Sequence, residues 1–566
     1  MSSKTKLELT WIGKNEKINL EPRILIERPE LSFKSEIENE NATHDNLLIH
    51  GDNLLALKAL EQDYAGKIKC IYIDPPYNTG SAFEHYDDNL EHSIWLGLMK
   101  PRLEILKNLL SENGLIFIQI DDIEQAYLKV LCDEVFGRVN FINMIVVNMS
   151  NLSGVKMTAA INGKKFPKIK EYILIYAKNK DTYKLDIPKI SKSKWDNEYN
   201  YIIPEFTREM YDNYTNSNGE IILNNIEKLN LVSLKKFLSE KNISDTLEWK
   251  IENSYRIVAT KPNHSLYKRI INESFKNDLS IVKNASGKNV LIKSDFNKQT
   301  KTARLEIVFA ETNNSIYLGD QWSDIVTTGG VGQEGGVFFP NGKKPEKLIH
   351  RILSSATQKK DIVLDSFLGS GSTAAVAHKM GRKWIGIELG DHAYTHCKPR
   401  LDSVLVGTDQ GGISKGVNWV GGGSYKFYEL APTLIKKDVF GNPVINKEYN
   451  ADMLAAAMAK HENYQYNPSP EVFWKQGKSS ENAYIYTTTQ LITLNYLTSI
   501  HSQMKENEHL VIACKTFEAG LEKAFKNITI KKIPNTLLGR CEFGKENYNL
   551  NIISVPQLDE EEEDNE

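Results

Sequence analysis

The stretch that decides the fold of this chain reads Ile71-Tyr72-Ile73-Asp74-Pro75-Pro76-Tyr77. Three apolar or aromatic residues are typical of a short buried strand, and the prolines end it because proline cannot donate to a strand ladder. Asp74 and Tyr77 therefore lie at the carboxyl end of a strand, where open α/β sheets bind ligands. For so short a motif, a strand followed by a plain proline turn is the simple alternative.

The chemistry that this motif suits is the methylation of an amine. The exocyclic amine of a nucleobase is a poor nucleophile because its lone pair is conjugated into the ring. The Asp74 carboxylate and a backbone carbonyl of Pro75-Pro76 can accept its two N–H bonds, which draws the nitrogen towards a tetrahedral geometry. The Tyr77 ring can stack on an extruded base. The stretch resembles the catalytic motif of amino-methyltransferases that act on DNA.

A second motif follows much later in the chain. A buried strand ends at Asp365 and leads into a glycine turn that contains Phe367, Gly369 and Gly371. A helix and a further strand come next, and that strand ends at Glu388, 23 residues after Asp365. A glycine turn alone indicates only a flexible loop, but this whole arrangement with a terminal acid is typical of a nucleoside site. No third glycine follows two residues later, which favours S-adenosylmethionine over NAD.

Strands and helices alternate around both motifs. Residues 47–53 predict a strand and a turn that presents Asp52, and helices are predicted over 94–110 and 125–136, with a strand at 115–121 between them. This alternation indicates a parallel, doubly wound, Rossmann-like α/β sheet. Asp52 either binds the ribose or adenine of a cofactor or caps the helix that follows it.

Size and composition exclude several classes of protein. With 566 residues the chain is long enough for more than one domain, and 41% hydrophobic and 25% charged residues are ordinary values for a soluble protein. No apolar run is long enough to span a bilayer and no signal peptide is recognisable, so we expect a cytoplasmic protein without a membrane partner. The five cysteines are scattered without a C-x-x-C pair, which argues for a reducing compartment and against a metal site. None follows a proline, so covalent attack on a cytosine ring carbon is not expected.

The charge of the chain is unevenly distributed. Its formal net charge is −3, and residues 559–566 carry seven acids and no base. Residues 151–310 hold 28 basic and 18 acidic side chains, a local excess of +10. A basic region in an otherwise acidic chain favours a nucleic-acid-binding insert, although a run of charge is also typical of a solvated surface.

The order of the motifs adds a family resemblance. Asp74-Pro75-Pro76-Tyr77 precedes Phe-x-Gly-x-Gly with a basic insert between them, which is the permuted order of β-group DNA amino-methyltransferases. The opening at residues 9–14, the Gly51-Asp52-Asn53 turn and residues 74–88 and 425–557 resemble the modification (Mod) subunit of type III restriction–modification systems. The insert at 180–320 resembles that family least, as expected for target recognition. The family usually has Gly-Ser-Gly-Thr in the glycine turn, whereas this chain has Ser372 at the last position and so keeps the hydroxyl.

The resemblance implies roles for residues and partners. Asp74 and Tyr77 would handle a flipped adenine in double-stranded DNA, and the glycine turn with Glu388 would hold S-adenosylmethionine, with Lys344 near the cofactor. Mod subunits are dimers that recruit an ATP-dependent helicase–nuclease subunit, so a homodimer and such a partner are expected, in a bacterial cytoplasm close to the nucleoid. We expect an adenine N6-methyltransferase that needs no metal. Cytosine N4 methylation, a non-catalytic DNA-specificity subunit for a nuclease, and an RNA substrate are the alternatives.

These observations divide the chain into seven regions, of which the sixth is expected to form the dimer or bind the partner, or else to be a plain accessory domain. They are an N-terminal segment (1–45), the catalytic half (46–179), a target-recognition insert (180–320), the cofactor half (321–406), a linker (407–424), a C-terminal α/β domain (425–557) and a disordered acidic tail (558–566).

Overall fold

The computed structural model describes residues 8–544 except 12, 17, 79–91, 150–165, 167, 193, 217, 301, 326–330, 340–341 and 539. The chain divides into two compact units. One comprises residues 1–186 together with 320–566, and the other comprises residues 187–319. The acidic tail predicted at 558–566 lies wholly outside the described residues.

The first unit is built on an eleven-stranded mixed sheet. Six neighbouring strands, from Ser424–Leu430 to Leu110–Ile120, run parallel to one another, and Lys170–Ala177 pairs antiparallel with the last of them. The expected Rossmann-like α/β fold with permuted motif order is confirmed. Across the sheet the strands follow the order Leu25–Glu27, Ser424–Leu430, Asn46–His50, Lys383–Glu388, Ile362–Asp365, Ile68–Ile73, Leu110–Ile120, Lys170–Ala177, Phe141–Asn148 and Gln321–Trp322, and Phe33–Lys34 also pairs with Ser424–Leu430.

The central strands are mostly apolar because helices cover the sheet. In Ile68–Ile73 five of the six side chains are buried, and Pro75 and Pro76 then end the ladder. The predicted helix over 94–110 extends over His92–Leu109 and accommodates Pro101. The eight helices of this unit are Asn53–Tyr64, His92–Leu109, Gln125–Cys132, Glu346–Ala356, Ser372–Lys379, Lys398–Val406, Ala451–His461 and Leu494–Gln503 within the described residues.

Residues 407–423, predicted as a linker or surface loop, lie outside helices and strands, but the predicted domain boundary at 425 is wrong. Ser424–Leu430 is a strand of the central sheet, parallel to Asn46–His50 and antiparallel to Leu25–Glu27. The glycines before it are packed: a Cβ on Gly422 would lie 3.0 Å from the carbonyl oxygen of Ile37. A glycine run looks like a linker in sequence, but here the absence of side chains lets two backbones approach closely.

The C-terminal region is also continuous with the N-terminal segment. One hydrophobic core joins Ala431, Met458 and Ile533 with Ile24 and Ile26, so 425–557 is not a separate compact unit. It contains a hairpin and a five-stranded sheet, whose strands are Ile435–Lys437 and Pro443–Ile445, then Gln465–Tyr466, Gly477–Ser480, Ala483–Ile492, His509–Phe517 and Ile528–Lys532.

The bounds of the second unit, residues 187–319, agree to within a few residues with those of the predicted insert at 180–320. The helices of this unit include Leu234–Glu240. The unit holds a six-stranded sheet in the order Val232–Ser233, Tyr201–Ile202, Ile257–Pro262, Arg304–Phe309, Asn289–Lys293 and Leu279–Lys283. A separate pair joins Lys189–Ser191 to Ser315–Tyr317, and its other helices are Arg208–Tyr214, Leu247–Glu252 and His264–Ile270.

Across the part of the chain that the structure describes, every helix is too short or too polar to cross a lipid bilayer.

Candidate active site

The two predicted motifs meet at one edge of the central sheet. Strand Ile362–Asp365 pairs in parallel with Ile68–Ile73 on one side and with Lys383–Glu388 on the other. Because parallel strands share their carboxyl edge, Asp74, Asp365 and Glu388 follow or end three adjacent strands. The structure therefore brings Asp74 to the same sheet edge as Asp365 and Glu388, which lie 291 and 314 residues later in the sequence.

Asp74 occupies a largely buried position with two close partners. Its side chain is 18% exposed, and the Lys344 ammonium lies 2.8 Å from Oδ2. The Tyr77 hydroxyl donates to Oδ1 at 2.7 Å. Burial raises the pKa of Asp74, and the positive charge of Lys344 opposes that rise. The Asp74 carboxylate is thus an ion-paired hydrogen-bond acceptor that keeps partial exposure to solvent.

The proline turn is anchored from the helix that follows it. The indole N–H of Trp95 donates to the carbonyl oxygen of Pro76 at 2.8 Å, and Trp95 itself is buried in the central core. This bond fixes the carbonyl of one proline and, through the rigid ring geometry, the direction of the turn. Of the two carbonyls in the predicted motif, that of Pro76 is therefore already engaged.

Glu171 is a member of the site that the sequence did not reveal. It lies in strand Lys170–Ala177, and its carboxylate lies 2.8 Å from the Tyr77 hydroxyl, whose single hydrogen Asp74 and Glu171 share. The Gln119 amide also donates to Glu171, and Tyr72 donates to Gln119. Gln119 is buried, so the strand beside Asp74 positions Glu171 through a chain of buried polar side chains. A polar residue in an otherwise apolar predicted strand was the signal that could have found Gln119.

The Lys344 ammonium pairs with the carboxylates of Asp74 and Glu171, and its expected place near the cofactor stays a prediction. The ammonium is 3.6 Å from Glu171 as well as 2.8 Å from Asp74, and it lies 4.9 Å from the centre of the Tyr77 ring. Although burial by itself would lower the pKa of Lys344, the two carboxylates raise it. Lys344 therefore places a positive charge between two acids.

The glycine turn forms the second half of the site. Gly369 has φ +56°, and a Cβ placed on it would meet no atom within 4 Å, so the turn faces open space. Its N–H donates to Glu388 at 2.7 Å, and the N–H of Phe367 donates to Asp365 at 3.0 Å. Burial raises the pKa of Glu388 to about 7 and that of Asp365 to about 7. Buried acceptors beside an open glycine turn fit the ribose and amino-acid groups of S-adenosylmethionine.

A family model described as DNA methylase matches residues 68–398, which include both halves of this site. The chain belongs to that DNA methylase family.

Two curated proteins are similar to this methylase over much of its length. It is 39% identical over 419 residues to the probable type III restriction-modification enzyme HindVI Mod subunit of Haemophilus influenzae, which covers 69% of this chain and 54% of that protein. It is 32% identical over 426 residues to the type III restriction-modification enzyme EcoPI Mod subunit of Escherichia phage P1, with 66% and 62% covered. The chain thus spans between half and two thirds of the length of these relatives.

Among solved structures, a PvuII DNA methyltransferase described as cytosine-N4-specific is 14% identical, with a TM-score of 0.33 over 65% of this chain and 88% of that one.

The structure supports the capping alternative for Asp52. Its carboxylate accepts the N–H of Leu55 at 3.0 Å, which caps helix Asn53–Tyr64, and it pairs with Arg102 at 3.3 Å. Asn53 donates to the carbonyl of Ser366, next to Asp365. In the methylase Asp52 therefore caps helix Asn53–Tyr64, Asn53 contacts the strand end beside the glycine turn, and a direct contact of Asp52 with the cofactor stays a prediction.

A buried ion cluster supports the glycine turn from behind. Glu346 pairs with Lys379 and Arg400 at 2.9 Å, and Lys379 also pairs with Asp409 at 2.7 Å. Arg400 donates to the Ser372 hydroxyl at 2.7 Å, within the turn. Although burial by itself would raise the pKa of Glu346, the two cations hold it below its usual value. The cluster ties the helix that follows Lys344 to the glycine turn.

No group of three or more histidine, cysteine or acidic side chains in the described ranges is arranged to hold a metal ion.

Proposed function

We propose that this methylase transfers a methyl group from S-adenosylmethionine to N6 of adenine in double-stranded DNA, as the modification subunit of a type III restriction–modification system. The observation that carries this proposal is the Asp74 carboxylate, held beside Tyr77 at a sheet edge that it shares with an open glycine turn. The similarity to two Mod subunits supports the system-level role.

The residues around Asp74 account for activation of the amine. Asp74 accepts one N–H of the target amine, and a proline carbonyl accepts the other. Because the carbonyl of Pro76 already accepts the Trp95 indole, we assign the second acceptor to Pro75. These two bonds draw the amine nitrogen towards a tetrahedral geometry with an available lone pair, and the ring of Tyr77 stacks on the base once it leaves the helix.

The glycine turn positions the methyl donor. S-adenosylmethionine supplies an electrophilic methyl group on a sulfonium. Glu388 and Asp365 accept hydrogen bonds from the cofactor, and Gly369 leaves room for it because no side chain fills the turn. Alignment of the amine with the methyl group accounts for the rate, and no covalent bond to the protein forms. The methylated nitrogen is cationic and loses its proton to solvent, so no strong protein base is required.

The identity of the methylated base is tested directly by product analysis. Purified protein is incubated with duplex DNA and isotopically labelled cofactor, and the DNA is digested to nucleosides and analysed by mass spectrometry. We expect labelled N6-methyldeoxyadenosine from the wild-type protein and none from Asp74→Asn. Labelled N4-methyldeoxycytidine would refute the adenine assignment, and an unlabelled digest would refute catalysis. A parallel reaction with RNA of the same sequence tests for duplex DNA as substrate.

We propose that the unit formed by residues 187–319 reads the DNA sequence. Its support is the +10 charge of the wider region 151–310 and the position of the catalytic residues in the other unit. Replacement of 187–319 by the corresponding unit of a relative is expected to change the methylated sequence, as read by single-molecule sequencing. A hybrid that still methylates the original sequence would place recognition elsewhere.

We propose a homodimer and a helicase–nuclease partner by similarity to the Mod subunits. Removal of the C-terminal region cannot test the dimer, because its first strand, Ser424–Leu430, belongs to the central sheet. Light scattering on the full chain tests it instead, with twice the chain mass expected. Co-purification with a candidate nuclease subunit tests the partner, and a monomer with full activity would refute the dimer.

A further inference from the structure

One cation serves two acids in the catalytic cluster, which comprises Asp74, Glu171, Lys344 and Tyr77. The Lys344 ammonium lies 2.8 Å from Asp74 and 3.6 Å from Glu171. The Tyr77 hydroxyl lies between the same two carboxylates, at 2.7 and 2.8 Å. With both acids ionised and Lys344 charged, the cluster carries a net charge of −1. Neither acid therefore has a cation of its own.

The positions of these donors conflict with the role proposed for Asp74. Its Oδ1 accepts from Tyr77 and its Oδ2 lies against Lys344, so a target amine meets two donors already in place. As the methyl group is transferred, the amine nitrogen gains positive charge. An ammonium held on the same carboxylate would oppose that charge, and the low polarity of a buried site strengthens the opposition.

Glu171 is a second ion-pair partner for Lys344 within the catalytic cluster. Glu171 lies in strand Lys170–Ala177. The Gln119 amide donates a hydrogen bond to its carboxylate, and the Tyr77 hydroxyl lies within hydrogen-bond distance of it. A small change in the side-chain torsions of Lys344 is enough to carry its ammonium from Asp74 to Glu171, because only 3.6 Å separates the ammonium from Glu171. Glu171 thus keeps Lys344 charged and paired when it leaves Asp74.

We propose that Lys344 is a positioning residue that exchanges between two carboxylates: it pairs with Asp74 before a base enters, and it moves to Glu171 when the target amine binds Asp74. This inference rests on the proposed amine methylation. Lys344 keeps Asp74 ionised and ready in the empty site, and its transfer to Glu171 leaves one negative charge facing the nitrogen that becomes positive.

The surroundings of Asp74 determine the direction of the pH effects. Besides Lys344, Glu171 and Tyr77, the groups whose charges bear on it are Tyr72 of its own strand and Asp365 of the adjacent strand. Lys344 lowers the pKa of Asp74 and Glu171 raises it. Loss of Lys344 should therefore move the acid limb of the rate profile to higher pH, and loss of Glu171 should move it to lower pH.

The first experiment measures the ion pair without any reaction. Melting temperatures of the cofactor-free full-length protein are compared for Lys344→Met, Asp74→Asn and the double variant. At pH 8 we expect Lys344→Met to lose about 4 °C because it leaves an unpaired buried carboxylate. The double variant should recover at least half of that loss, and the loss should shrink at pH 5. Lys100→Met and Glu104→Gln, in an exposed pair on helix His92–Leu109, are the matched control, for which additive changes are expected.

The second experiment measures the exchange. Single-turnover rates at saturating DNA are followed from pH 5 to 9 for the wild type, Lys344→Met, Lys344→Arg and Glu171→Gln. We expect the acid limb to move up by about one pH unit in Lys344→Met and down in Glu171→Gln, with Lys344→Arg restoring the wild-type limb. Glu171→Gln should also be about tenfold slower than the wild type, with its DNA affinity preserved.

The possible outcomes separate this inference from the proposed function. An additive melting cycle, or acid limbs that move in the same direction in Lys344→Met and Glu171→Gln, would overturn the exchange even if the wild type methylates DNA. A wild type that transfers no methyl group would refute the proposed function and with it the exchange, while the melting cycle would still report whether Lys344 is the counterion of Asp74.

Discussion

Two ion clusters begin two residues apart in the chain, at Lys344 and Glu346, and they differ in burial and in charge balance. The support cluster, formed by Glu346, Lys379, Arg400 and Asp409, has side chains that are at most 3% exposed. It holds two acids and two bases. In the catalytic cluster Asp74 and Glu171 are each 18% exposed and Lys344 is 8% exposed. It holds two acids and one base.

The difference shows how charge can distinguish a structural from a functional group of residues. In the support cluster each charge is paired within the cluster. Its contacts join the glycine turn to the helix Glu346–Ala356. A partly open cluster with an excess negative charge is complete only when something positive joins it.

Asp74→Asn should separate the two clusters most clearly. We expect methyl transfer to fall by about a thousandfold or more, because the acceptor that activates the amine loses its charge. The melting temperature should stay within about 2 °C of the wild type, since the substitution removes a buried charge whose own pKa is raised by burial. Asp63→Asn, at an exposed site, is the control. Activity within tenfold of the wild type would remove Asp74 from the catalytic step.

Glu346→Gln should show the opposite pattern. It leaves Lys379 and Arg400 without their shared carboxylate, so the free energy of unfolding should fall by about 3–5 kcal/mol. Denaturant unfolding of the full chain measures the loss. Any remaining folded protein should keep the wild-type acid limb of the rate profile. A stable Glu346→Gln protein with a displaced acid limb would place Glu346 in the catalytic cluster and break the contrast.

Gly369→Ala tests whether the glycine turn takes part in ligand binding or has only a structural role. The Cβ would enter the open space at the turn, and the positive φ adds backbone strain. We expect the dissociation constant for S-adenosylmethionine, measured by calorimetry, to rise about tenfold or more.

Gly441→Ala provides the matched control for that variant. Gly441 also has a positive φ with no atom within 4 Å of an added Cβ, but it follows strand Ile435–Lys437 in the C-terminal hairpin. It should share the strain and leave cofactor affinity unchanged. Equal affinities in the two variants would mean that Gly369 is only a turn residue.

Glu388 combines the burial of one cluster with the unbalanced charge of the other. Its pKa is raised from 4.5 to about 7, so the protonated form favours the folded state. That stabilisation is fully present below about pH 4.5 and is lost as the pH rises to about 7. The difference in melting temperature between the wild type and Glu388→Gln should therefore change steadily from pH 5 to 7 and level off above it. A difference independent of pH would mean that Glu388 titrates normally.

The titration of Glu388 should also appear in the pH dependence of cofactor binding. If ionised Glu388 accepts the ribose hydroxyls, cofactor affinity should fall as the pH decreases below about 7, by up to tenfold per pH unit. Calorimetry in buffers of different ionisation enthalpy should detect proton release on binding near pH 6.5. Binding without proton release would exclude Glu388 as an acceptor that must be ionised.

The sequence alone determined the fold class, the order of the two motifs and the identity of Asp74, Tyr77, Gly369 and Glu388 as candidates. These features are local: apolar runs predict buried strands, prolines and glycines mark their ends, and an acid directly after a strand has a defined position in any parallel sheet. The family resemblance drew on the same local motifs.

The partners of these residues follow from the way that distant segments pack in the folded chain. Glu171 reaches Tyr77 across 94 residues of sequence, because Lys170–Ala177 pairs antiparallel with the strand that carries Gln119. The glycine run before Ser424–Leu430 resembled a linker, yet it leads into a strand of the central sheet. Strand register and packing bring such residues together, and no local pattern encodes which distant strand will be the neighbour. Charge balance, which distinguishes the two clusters, is likewise a property of the folded arrangement.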